Sequence, residues 1–171
     1  MGLEVLGAAL LYVGFVLILN GLWLLNKVDA KDVAIMNLFA GIATFTSSYY
    51  NLVVLKAPGA IAWAQGLLFS FTYLWIFFNI VREISDQRAL GWYCLFVAIT
   101  AVISGALTPA MEIGFAILKF LWFDWAVLWF SFWVLLVLGR GTKPIAYFTM
   151  VSGVLTYIPT FPYMLGIWGA T

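Results

Sequence analysis

Trp122, Trp125, Trp129 and Trp133 recur at i, i+3, i+7 and i+11, offsets that put four indoles on one stripe of a helix. Leu, Ile and Val suffice to face lipid, so a column of flat rings deep in an apolar segment has two readings. It is a ring-packed core, or it is one wall of a passage whose ring faces receive a flat, uncharged molecule. Spacing alone leaves both open. Asp124 lies in the same segment. With a helix starting near Gly114, ten residues at about 1.5 Å each put its carboxyl roughly 15 Å deep. A charge there costs roughly 2.5–3.5 kcal/mol on insertion scales, and such residues are functional candidates by default. Asp124 falls off the tryptophan stripe, in a row with Leu128 and Ser131, so its neighbour is another helix, another subunit or the edge of a lumen. Lys119, about 140° round the helix from it, is poorly placed to pair and can snorkel to the surface.

Asn20, Asn37 and Asn79 lie toward the same ends of the first three apolar runs. Amides in hydrocarbon need partners, and interhelical hydrogen bonds there average well under ~1 kcal/mol. These three either tie helices together or line a mouth. Ser152, Thr156 and Tyr157 precede Pro159 and Pro162, which interrupt the last run; Pro159 should kink it. The carbonyls freed near Thr156 are open to a polar solute or to the hydroxyls themselves, which makes this segment a second candidate wall. Nothing resembles an enzyme's machinery: there is no nucleophile–base pair, phosphate loop or metal constellation. The chain has no histidine, which removes haem ligation by His, the usual transition-metal sites and His-based proton relays. No enzyme activity, cofactor or metal is expected. The single cysteine, Cys94, sits in an apolar run as a small core filler and excludes an intrachain disulfide.

The elements that hold these residues follow from composition. Hydrophobic residues make up 65% of the 171, charged residues 9%, and mean hydropathy is +1.09. Soluble domains carry about 25% charged residues, so an integral membrane protein is expected. A net charge of +1 points to no nucleic-acid or acidic partner. Met1-Gly2-Leu3-Glu4 lacks the basic region and cleavage site of a signal peptide, so the first apolar run is expected to remain in the protein. Six apolar runs approach the ~20 residues of one crossing: about Leu3–Leu25, Val33–Leu55, Ile61–Val81, Leu90–Leu107, Gly114–Leu138 and Ile145–Trp168. Connectors are short, so residues 1–171 read as one all-α domain of six transmembrane helices. Lys27, Lys31, Arg82, Arg88, Arg140 and Lys143 fall in the odd connectors, against Lys56 and Lys119 at the opposite ends. That bias places the odd connectors in the cytoplasm and both termini outside.

A weak internal repeat accompanies the connectors. Asn37-Leu38-Phe39-Ala40-Gly41-Ile42 compares with Cys94-Leu95-Phe96-Val97-Ala98-Ile99, and Leu10-Leu11-Tyr12 with Leu67-Leu68-Phe69 and Val127-Leu128-Trp129. Three helical hairpins around an axis would leave a pore within one subunit. No inverted pair of halves, as in many secondary transporters, is visible.

Several stretches carry a resemblance. Leu10-Leu11-Tyr12-Val13-Gly14-Phe15-Val16-Leu17 through Asn20-Gly21, Gly66 to Leu74, Trp92 to Ala98, Trp125-Ala126-Val127-Leu128-Trp129 and Leu155-Thr156-Tyr157-Ile158-Pro159 together resemble the AmiS/UreI family of urea and short-chain amide channels. The match covers all six runs in order. The resemblance implies a six-helix protomer of three repeated hairpins, a narrow pore in each protomer, and a bacterial plasma-membrane homo-hexamer whose centre is filled by lipid. It further implies a pore lined by Leu6, Leu10, Val13 and Leu17, by Phe69 and Tyr73, and by Trp122, Trp125, Leu128 and Trp129. Such a slot suits urea or acetamide, because an ion entering it loses hydration without replacement ligands. Transport is then passive.

The chain departs from the acid-gated urea branch in three ways. Its outer loops shrink to about Lys56–Ala60 and Thr108–Ile113, with no histidine, so little acid activation is expected. Ser152 stands where that branch has a membrane glutamate, as in the amidase-associated branch. Asp124 occupies an apolar or small polar position and has no assigned role. A proton-coupled transporter using Asp124 is the alternative function, and a non-transporting membrane scaffold a third.

Overall fold

The computed structural model describes residues 3–56 and 59–168. Met1 and Gly2 lie outside the described residues, as does the middle of the connector read at Lys56–Ala60. Six long helices and one short one follow in order: α1 Glu4–Leu24, α2 Ala30–Leu55, α3 Ala60–Val81, α4 Arg88–Leu107, α5 Ile113–Leu138, α6 Thr142–Tyr157 and α7 Thr160–Met164. Their ends have local causes. Asp29 caps α2 by accepting from the Lys31 N–H at 2.7 Å. Gly139, at φ 65°, takes the left-handed conformation that closes α5. Pro159 ends α6, and the Thr160 hydroxyl donates to the Tyr157 carbonyl at 2.8 Å across the break.

Each long helix packs on its neighbours in sequence, and α1 closes the ring against α6 and α7. The most extensive packing is α1 on α6, α2 on α3 and α4 on α5. These pairs alternate with the hairpins joined by the odd connectors, so the tight seams run between those hairpins rather than within them. Small residues explain it. A Cβ on Gly14 would sit 2.9 Å from the Gly153 carbonyl oxygen, so α1 and α6 meet backbone to backbone. Gly41 receives Leu74 and Gly91 receives Val137 at the other two seams.

Helices α1, α3, α4 and α5 are each long and apolar enough to cross a membrane. Helix α2 is long but carries Lys31 and Asp32 in its first turn and a hydroxyl-rich middle, and α6 is cut short by Pro159. The outward surface is apolar, with Phe15, Phe39, Phe96 and Phe120 each about half exposed, while Leu10, Val13, Val97 and Trp125 are buried inside the ring. Polar-in-water and apolar-inside logic is thus absent from the flanks, as it must be for a surface meeting acyl chains. The chain is an all-helical, multi-pass membrane protein.

The connector between α3 and α4 lies at an aqueous end of the ring. There Arg88 forks onto Asp86 with contacts of 2.6–3.1 Å, and its guanidinium holds that carboxyl down to about 2.

Candidate functional site

Two cavities lie in line inside the ring. The wide one, about 330 Å³, reaches from Ser85 and Gln87 in the α3–α4 connector to the middle of the bundle. The narrow one, about 80 Å³, begins near Leu3 and Asn51 at the other end. Phe69 and Trp125 are the two residues that line both. They meet edge to face with centroids 4.8 Å apart at 84°. Phe69 also contacts Trp129 at 4.7 Å and Trp122 at 5.9 Å, and Trp122 meets Trp125 at 5.2 Å. One phenyl ring from α3 therefore sits among three indoles of α5 and separates the cavities.

The indoles are held by hydroxyls from other helices. Trp125 Nε1 donates to Thr156 Oγ1 of α6 at 2.9 Å, and Trp129 Nε1 donates to Thr72 Oγ1 of α3 at 3.3 Å. Thr72 in turn donates to the Leu68 carbonyl at 2.7 Å. A buried indole N–H without a partner costs about 1–3 kcal/mol, so these bonds fix which ring edges face the route. Thr156, fully buried, thus braces Trp125 from behind and lines neither cavity.

The expected lining residues divide by height. Leu6, Leu10 and Trp122 line the narrow cavity; Leu17, Tyr73, Leu128 and Trp129 line the wide one. Val13, between Leu10 and Leu17 in the chain, is fully buried and opens on neither. Ser152 is also fully buried and lines neither; its hydroxyl donates to Asp124 Oδ1 at 3.2 Å. Asp124 lies in the α5–α6 seam with Oδ2 unbonded among the described residues, off both cavities. Its neighbour is therefore a helix of the same chain. Trp133, fourth on the tryptophan stripe, packs on Trp92 and Phe130 toward α4 and lines neither cavity.

Among the asparagines, Asn20 and Asn37 exchange amide hydrogen bonds at 3.2 and 2.8 Å and join α1 to α2. Asn37 also donates to the Val33 carbonyl, and Asn20 contributes to the wide cavity. Asn79 is buried and lines neither cavity.

Several lining residues escaped the sequence reading. Gln65, Thr72 and Ile76 share one stripe of α3 with the expected Phe69 and Tyr73, and Thr44, Ser47, Ser48 and Asn51 form one stripe of α2. Both follow helical spacing, and the second is a polar row in an apolar background. Cys94, read as a core filler, is buried and also touches the wide cavity. Among the described residues no group of His, Cys, Asp or Glu comes together to hold a metal ion.

A profile described as the AmiS/UreI family transporter matches residues 5–167. A Mycolicibacterium smegmatis protein named for the transport of amidate substrates is 36% identical over 95% of this chain and 78% of its own length. The acid-activated urea channel of Helicobacter pylori is 33% identical over 95% of this chain and 99% of its own. The cryoEM structure of the Helicobacter pylori urea channel in its closed state superposes with a TM-score of 0.84 at 31% identity, and the crystal structure of the urea channel of that species with 0.83 at 34%. Each covers 95% of this chain and 99% of the channel. These relatives are transporters and channels rather than enzymes, and with a ring of helices enclosing two aligned cavities, the chain belongs to the AmiS/UreI family of transporters.

Proposed function

We propose that the protein is a passive channel for urea and short aliphatic amides, with the route running through each single subunit. The carrying observation is the pair of cavities that share only Phe69 and Trp125 as lining. Phe69 and the three α5 indoles that it touches then form the closure, and movement of these rings would join the two cavities. Ring faces accept a flat solute, and apolar walls give a bare ion no ligands in exchange for its water. The wide cavity faces the cytoplasm in this reading, with the basic connectors, and both termini lie outside. The protomer is a three-hairpin unit of an inner-membrane homo-hexamer, as the family resemblance implies.

The channel is not acid-gated in this reading. The alignment with the acid-activated channel runs over 197 positions, more than the 171 residues here, so that channel carries segments without a counterpart in this chain. The chain also has no histidine to titrate near neutrality. Asp124 does not favour the proton-coupled alternative, because it sits behind the pore wall on Ser152.

Swelling of proteoliposomes in isosmotic urea or acetamide, without a proton gradient, tests the reading. Swelling well above that of protein-free vesicles is expected, with little change in Asp124→Asn. Swelling that requires an imposed proton gradient would sink it.

A further inference from the structure

The narrow cavity has two unlike walls. Leu6, Leu10 and Leu118 form an apolar one, and Thr44, Ser47 and Ser48 of α2 form the other. A hydroxyl has a single hydrogen to donate, and all three donate it to backbone. Thr44 Oγ1 gives to the Ala40 carbonyl at 2.7 Å and Ser48 Oγ to the Thr44 carbonyl at 2.6 Å, both within α2. Ser47 Oγ gives to the Val5 carbonyl of α1 at 3.1 Å. What this wall retains for an occupant is oxygen lone pairs. Donors in the cavity belong to other residues: the Trp122 indole and the amides of Asn51 and Gln65, of which Gln65 already gives one N–H to Ser104 Oγ at 3.0 Å. At the closure and beyond it, the indole N–H groups of Trp125 and Trp129 are both committed to threonines.

We infer that the α2 wall, Thr44 with Ser47 and Ser48, ranks solutes by the number of N–H groups they carry. This rests on the channel reading above and names its selectivity. Urea and primary amides replace the water lost by these oxygens with their own N–H donors. An N-alkylated amide of equal size leaves the oxygens unpaired, and buried acceptors reject an occupant with nothing to donate. Lipid ranks the same solutes in reverse, because every N–H must shed water into hydrocarbon with no replacement. The sign of the ranking therefore separates pore from leak.

Propionamide, N-methylacetamide and N,N-dimethylformamide are isomers with two, one and no N–H groups. Stopped-flow light scattering on proteoliposomes, with protein-free flux subtracted, should rank them in that order, with about tenfold or more between first and last. The near-isosteric double variant Thr44→Val with Ser47→Ala should compress that span to about threefold or less. Gel filtration in detergent and far-ultraviolet circular dichroism check that the variant assembles; should it not, Ser48→Ala and the wild-type ranking carry the test. Equal passage of dimethylformamide and propionamide, or an unchanged span in the variants, overturns the inference and leaves the channel standing. So does passage of acetamide with none of the three isomers, since aperture alone then decides. Absence of all amide flux, acetamide included, overturns the channel reading and the inference together.

Discussion

The two cavities differ in size by about fourfold, 330 against 80 Å³, and in how their polar groups are arranged. The narrow one sets one polar stripe of α2 against the leucines of α1 and α5. The wide one is mostly apolar, with Asn20, Thr72 and Tyr73 spaced round it. The closure between them is made of rings in both directions. In such a route the narrow cavity must do the sorting, because there a solute touches both walls at once. The wide cavity leaves room for water beside the solute and can only collect and release it.

The same substitution on either side of the closure breaks or sharpens that contrast. Leu6→Trp should reduce acetamide flux about tenfold by filling the narrow cavity. Leu17→Trp, in the wide one, should change it by less than about twofold. Proteoliposome flux with matched protein content measures both, and equal losses would erase the functional difference between the cavities.

A smaller contrast concerns the two threonines. Thr156→Val leaves the Trp125 N–H unpaired in a dry seam, at an expected cost of about 1–3 kcal/mol, read as a lower unfolding midpoint in detergent. Thr72→Val should cost less. Its bond is longer, 3.3 against 2.9 Å, and the wide cavity lets water replace it. Reversal of that order would mean that the Trp129 side, not the Trp125 side, is the dry one.

The smallest effect is expected from acid. Urea flux should change by less than about twofold between pH 7 and pH 5, measured in proteoliposomes; a several-fold rise would restore an acid-gating role. The Asp86–Arg88 pair in the α3–α4 connector does not titrate in that window. Its carboxyl is held at about 2. The contribution of the pair is therefore complete above the ordinary carboxylate range near 4 and fades only as pH falls toward 2.

Much of the fold was legible because length and apolarity are local properties. The six runs read from the sequence match the helices to within a few residues at most ends, and Pro159 breaks the last one where a missing N–H requires it. Closure of the ring by α1 against α6 and α7 is a contact between distant segments, which no local property announces; the glycines at 7, 14 and 21 give α6 and α7 room to approach. The tryptophan stripe gave an azimuth but not what stands opposite at each height. At Trp122, Trp125 and Trp129 the neighbour is Phe69, and at Trp133 it is Trp92 of α4. Thr156 and Ser152 looked like wall residues because hydroxyls near a proline kink suggest a solute; the indole and carboxyl that they bond come from another helix. The α2 row Thr44, Ser47, Ser48 and Asn51 keeps helical spacing, but polar residues in an apolar run serve helix-to-helix hydrogen bonding equally well, so spacing alone does not mark a wall.

The central claim is that Phe69 and Trp125 form the closure of a continuous route within one subunit. Stopped-flow acetamide permeability of proteoliposomes carrying wild-type protein or Phe69→Ala, beside protein-free vesicles, tests it most directly. Wild-type flux should exceed the protein-free rate several-fold, and Phe69→Ala should equal or exceed wild type because the ring that separates the cavities is gone. Permeability of both proteins at the protein-free rate would contradict the claim, since removing the closure would then have opened nothing.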